Sequence, residues 1–171
     1  MTVQTAISYT PTVAIPGEVK GNDYASRTLA AEVVIQNGLM VSRTTGGDAR
    51  CKLPTTAADL AAGSAYGIAR SNVARDSSWP VPSTAGQYQI GDSIETIYRG
   101  LVWVTVETSV APGDPVYVRH TPRLTNTQRG SFRNDADTAA YVDYATLIAG
   151  ARFLTTATGG ALALVDLNLP Q

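Results

Sequence analysis

The chain has 171 residues, of which 44% are hydrophobic and only 16% charged, with a formal net charge of -1. That length fits one domain with enough interior to fold without staples, and the apolar fraction excludes a chain disordered throughout. The charge balance, with a pI near 5.7, excludes the basic footprint on which tight nucleic-acid binding rests.

Residues 1–20 read as an extended arm. Val3, Tyr9, Val13 and Ile15 are separated by polar or β-branched residues, and Pro11 and Pro16 forbid regular helix. The apolar residues imply that something holds the arm, either its own domain or a neighbour. The opening segment, residues 1–12, lacks the basic and apolar regions of a signal peptide, which points to synthesis in a cytoplasm without export by the usual route.

Residues 21–171 form a single β-rich domain. Val33, Val34 and Ile35 lie in a strand over residues 30–36, and Asn37-Gly38 is the dipeptide of a tight hairpin returning through residues 39–43. A single strand with a glycine bulge is the alternative. After the Gly46-Gly47-Asp48 turn comes a short strand at 49–53, carrying Cys51 as a small packed hydrophobe and stopping at Pro54. Residues 56–62 are the best helical stretch, with Thr55 or Thr56 as N-cap and Gly63 as C-cap. A strand through Tyr66 and Ile68 follows. Residues 72–86 are a proline-containing loop around Trp79, a tryptophan that serves either as an interface anchor or as a cap on the protein's own core.

Residues 87–119 carry the clearest pattern. Gly91-Asp92 opens a strand at 93–98, Arg99-Gly100 reads as a tight turn, and residues 101–107 form a second strand. Val102, Val104 and Val106 share one face of it, and Leu101, Trp103, Thr105 and Glu107 the other. Residues 111–115 turn the chain into a strand at 116–119. The polar stretch 120–139, with Arg123, Arg129, Arg133, Asp135 and Asp137, reads as a protruding loop or an irregular hairpin. Strands at 141–148, 149–154 and 161–169 close the domain. Many short strands, frequent Gly/Pro/Asp turns and one short helix make an all-β fold: a small antiparallel β-sandwich, or a jelly roll or barrel.

Chemistry is sparse. His120 is the one histidine and Cys51 the one cysteine, so no disulfide framework can form within the chain, and a closed zinc site is not expected. A Ser-His-Asp triad would have to use His120, and no Gly-x-Ser-x-Gly elbow accompanies it. The acid pairs Asp92/Glu95 and Asp135/Asp137 read as turn acids and solvated faces, not as a glycosidase pair. No phosphate-binding glycine motif occurs, no cofactor is implied, and no stretch approaches the ~20 apolar residues of a membrane span. Eleven of the basic residues are arginines and two, Lys20 and Lys52, are lysines. Arginine is favoured at protein interfaces, although a GC-rich genome gives the same skew.

Three segments together carry a resemblance. Residues 14–19 (Ala-Ile-Pro-Gly-Glu-Val) lead to residues 31–41 with the Asn37-Gly38 break. Tyr66-Gly67-Ile68-Ala69 follows a short helix. Tyr88 and Gly91-Asp92 run through Gly100-Leu101-Val102-Trp103-Val104 to Gly113-Asp114-Pro115-Val116-Tyr117-Val118, and Gly159-Gly160 precedes a closing strand. In this the chain resembles the structural cement, or head-decoration, proteins of bacteriophages. The resemblance covers most of the chain from Ile15 onward; the 120–139 loop and the Trp79 loop look like insertions.

The resemblance implies a non-enzymatic virion protein assembled in the host cytoplasm, forming dimers or trimers on the outer surface of the capsid. There it would bridge copies of the major capsid protein and stabilise the head, without touching nucleic acid or membrane. The family carries no catalytic residues to transfer, and no metal or cofactor residues are expected in this chain. Contact residues expected on this view are Tyr9, Val13 and Ile15 of the arm, adding strand pairing to a neighbour, with Trp79, Arg123 and Arg129. The alternative is a carbohydrate-binding or host-adhesion domain on the phage surface, with Trp79, Trp103 and tyrosines as the sugar platform.

Overall fold

A computed structural model describes residues 14–44, 47–61, 64–71 and 86–169 of the chain. The strands are β1 (Ala25–Ala31), β2 (Ile35–Gln36), β3 (Met40–Thr44), β4 (Gly47–Lys52), β5 (Ala65–Ala69), β6 (Gln87–Tyr88), β7 (Ser93–Thr105), β8 (Pro115–Arg119), β9 (Phe132–Arg133), β10 (Ala145–Phe153) and β11 (Leu162–Asn168). Among the described residues the one helical segment is a 3-10 turn, Ala57–Leu60. The all-β reading therefore holds, and the sheet connectivity decides in favour of barrels.

The strands close into two rings that share β7. In the first, the order is β1-β4-β3-β5-β7, and β7 returns to β1. Every contact in this ring is antiparallel except β1 with β4. In the second, β7 continues to β11, β10, β8 and β9. Phe132 of β9 then meets Val106, just past the end of β7, through a bridge and the Glu107 N–H bond to the Phe132 carbonyl at 2.8 Å. Closing a sheet on itself removes the exposed edges that invite stray pairing.

Each ring has its own core, set by the period-two alternation of its strands. Leu29, Ala31, Val41, Cys51, Ala69 and Ile94 fill the first. The β2–β6 ribbon adds Ile35 and Tyr88. Val102, Val104, Val106, Val116, Val118, Phe132, Phe153 and Val165 belong to the second. Met40, Ile68 and Ile97 sit opposite one another across β3, β5 and β7, and face the second core. The wall between the rings is thus buried on both sides. Each aliphatic side chain removed from water in these cores contributes roughly 1.5–3 kcal/mol. Cys51 packs as expected: it is fully buried and its thiol is pushed up to about 12, first by burial and then by Glu32.

The structure corrects four local expectations. Arg99-Gly100 is not a turn. The chain runs straight through it as one 13-residue strand, pairing with β1 and β5 up to Arg99 and with β11 from Arg99 onward. Gly100 is needed there because a Cβ would lie 2.7 Å from the Cβ of Tyr24. Asn37-Gly38 does make a turn, but not a hairpin: β2 pairs with β6, while β3 pairs with β4 and β5. Val33 and Val34 lie exposed between β1 and β2, not in a strand. The two strands expected at 141–154 are one, β10, with a register shift between Leu147 and Arg152.

The expected helix is a single 3-10 turn. Asp59 reaches back to the N–H groups of Thr55 and Thr56 at 2.7 and 3.1 Å, and Lys52 lies 3.1 Å from its other oxygen. Burial alone would raise the Asp59 carboxyl, but these bonds win and lower it to about 2. Leu60 anchors the turn in the second core.

Candidate functional site

The 120–139 stretch is an irregular hairpin, since β9 within it pairs back onto β8. What fixes it is a cluster of charges. On β8 the alternation puts Val116 and Val118 into the core and Arg119 on the other face. Arg119 is nevertheless 0% exposed, because the chain folds back over it. Its Nε lies 2.7 Å from Oε1 of Glu107, and its Nη2 lies 2.8 Å from Oε2, a two-pronged pairing. Nη2 also donates to Asp137 at 2.7 Å, and Nη1 to the Thr121 carbonyl at 3.1 Å.

Arg133 of β9 completes the cluster. It lies 3.3 Å from Glu107, 2.9 Å from Asp137 and 2.5 Å from Asp135. Ser131 donates to Glu107, and Arg123 pairs with Asp137 while stacking 5.3 Å above the ring of Tyr144. Three arginines (119, 123, 133) thus meet three carboxylates (107, 135, 137). Burial would raise the Asp137 carboxyl, but hydrogen bonds from Arg119 and Arg123 and the charge of Arg133 hold it below the usual carboxylate range. Burial would likewise lower the Arg119 guanidinium, and its two carboxylate partners raise it. Both groups stay ionised, so Asp137 is no proton donor near neutrality. The cluster is a clamp that ties the end of β7 to β8, β9 and the loop.

His120, next to Arg119, is also buried. Its Nδ1 lies 2.8 Å from the Thr121 hydroxyl, while Nε2 has no hydrogen-bond partner among the described residues. Burial, then the Arg119 charge, keep the ring neutral by lowering its pKa from 6.5. No group of His, Cys, Asp and Glu able to hold a metal ion occurs among the described residues. A surface groove of about 800 Å³ runs past Lys20, Asp23, Arg99, Arg152 and Asp166. Its acids already face arginines, Asp23 to Arg99 at 3.8 Å and Asp166 to Arg152 at 3.4 Å, and do not converge on one point.

Of the contact residues expected from the sequence, Tyr9, Val13 and Trp79 lie outside the described residues. Ile15 is half-buried and its N–H bonds Glu18 at 3.0 Å. From there the chain is held by its own domain: Gly17 and Lys20 donate to the Trp103 and Leu101 carbonyls of β7, and Trp103 donates to Glu18. Arg123 is engaged in the cluster, and Arg129 is half-buried in the same loop. The expectation therefore places Arg123 in the cluster, shows Arg129 only in the same loop, and misses Arg119, Glu107, Arg133 and Asp137 as one unit. The signal available was the run of four arginines over 119–133 followed by Asp135 and Asp137; Glu107 carried none.

Among the described residues the protein is all-β with two rings, and this charge cluster is engaged within the protein itself. The family model for "Structural cement protein (E217 gp24/Pam3 gp6)" matches residues 3–168. The chain belongs to this family of phage structural cement proteins, and is a bacteriophage virion structural protein. Among solved structures, a chain in the capsid of Myoviridae phage XM1 shares 20% identity over 98% of both chains, with a TM-score of 0.66, and so shares the fold. The head fiber gp8.5 N base of bacteriophage phi29 shares 13% identity over 84% of this chain and 92% of that one, at a TM-score of 0.40. No curated protein matches the chain.

Proposed function

We propose that this protein is a cement on the outer surface of the phage capsid, bridging neighbouring copies of the major capsid protein and stabilising the head. The observation that carries this reading is the cement-family match across residues 3–168. The architecture suits the role: two closed rings with a shared strand leave little to deform under load. Many copies on a lattice turn weak individual contacts into firm attachment, because each further contact is effectively intramolecular. We also propose self-association into a dimer or trimer, and an arm over residues 1–16 that clamps a neighbour through Tyr9, Val13 and Ile15, with Trp79, Arg123 and Arg129 as further contact residues. No catalytic step belongs to this role.

The test is co-sedimentation of purified protein with expanded, undecorated shells. Saturation at a fixed ratio to capsid protein is expected. A truncation lacking residues 1–13 should bind more weakly, and one that binds as the full chain does would remove the arm from the reading. Absence of binding to any related shell would count against the cement role as a whole.

A further inference from the structure

The charge cluster supports two tight turns. In residues 123–126 the backbones of Arg123 and Asn126 exchange hydrogen bonds of 2.9 Å, and Ala139 and Val142 do the same across residues 139–142. In the first turn Leu124 has φ 50; in the second, Ala140 and Tyr141 have φ 49 and 66. Glycine, asparagine and aspartate accept this left-handed backbone, whereas the Cβ of a bulky residue opposes it. Neither large side chain recovers the cost by packing. Leu124 is 84% exposed and Tyr141 103%. Val142 and, on β10, Leu147 are exposed as well. Disfavoured backbone that holds apolar side chains in water is a feature that clusters at binding surfaces.

The cluster also joins the two turns. Arg123, at the start of one, pairs with Asp137 and stacks on Tyr144, which flank the other. Charge then selects the partner. Arg119, Arg123 and Arg133 are matched within the protein by Glu107, Asp135 and Asp137, and Asp143 accepts a hydrogen bond from Thr138 at 2.5 Å. The turns offer a polyanion no cationic surplus from this cluster, and Asp143 beside the second turn is acidic. What the exposed Leu124 and Tyr141 side chains fit is an apolar recess on a protein.

We propose that Leu124 and Tyr141 are anchors that seat the protein in apolar recesses of the capsid protein. This rests on the capsid-binding reading above. The double variant Leu124→Asn/Tyr141→Asn tests it, because asparagine accepts the left-handed turn and removes the apolar tip. Its melting temperature should be unchanged or higher by up to about 4 °C. Its affinity for expanded shells should fall at least about tenfold, as for loss of an interface anchor. Tyr141→Phe, which keeps the ring, should bind as the unaltered protein does.

If the unaltered protein binds shells and the double variant binds equally well, the anchors are disproved and the cement reading survives. If the unaltered protein does not bind, the reading fails and the anchors with it. Sedimentation without shells, and flotation with vesicles of phosphatidylcholine and phosphatidylglycerol, address the other occupants. Self-association or vesicle binding that the double variant loses would assign the tips to a second copy or to a bilayer, and overturn the proposal.

Discussion

A guanidinium taken out of water is costly unless its donors are engaged, and Arg119 meets that condition through Glu107, Asp137 and the Thr121 carbonyl. Removing one partner strands the charge. Glu107→Ala should therefore lower the free energy of unfolding by roughly 3–5 kcal/mol, read from urea denaturation. A loss well below this range would mean that the cluster is a surface ornament. Acid should act at the same place. His120 is buried neutral, with Arg119 lowering its pKa and the more weakly acting Asp59 and Asp143 raising it. The unfolded chain thus takes up more protons below pH 6.5, and stability falls as pH drops beneath that value. Asp137 is held below 3.8, so its contribution is present above that pH and lost in more acid solution. The urea midpoint should fall in two stages on acidification, and His120→Gln should abolish the first. A first stage that persists in that variant would contradict the assignment. At this scale little was legible: the arginines of 119–133 stood out in the sequence, but Glu107 read as one more residue on a strand face. Its role depends on a fold that brings positions 107, 119, 133 and 137 together.

The elements show where local signals mislead. Strand content and most strand positions followed from alternation, because one face of each strand must meet a core. Glycines were harder to read. Gly100 and Gly38 both have positive φ, yet one lies inside a strand and the other links two separate sheets. A glycine marks special backbone, and only the tertiary neighbour says whether the reason is a turn or a close approach. Gly67 on β5 is the second kind. With φ 143, it brings the Ile97 carbonyl so near that a Cβ would lie 2.4 Å from the oxygen. Gly67→Ala must push β5 away from β7 in the wall shared by both cores. The expected cost is ~1–3 kcal/mol, the usual range for overpacking, measured by the shift in urea midpoint. A midpoint equal to that of the unaltered protein would show that the wall is softer than its packing indicates.

At the scale of the whole molecule, the sequence indicated the fold class and the family but not the architecture. Periodicity does not encode which strands share a ring, and nothing local announces that β7 serves two. The clamp ties the 120–139 loop to the second ring, and the two rings share β7, a build that fits the cement role proposed above. The proposed role is mechanical: bound copies make the shell harder to break. The direct measurement is the temperature at which expanded shells disrupt, with and without saturating protein. A disruption temperature that rises with occupancy and levels off at saturation is the predicted result. Saturated shells that disrupt at the same temperature as bare ones would contradict the cement role, even if the protein binds.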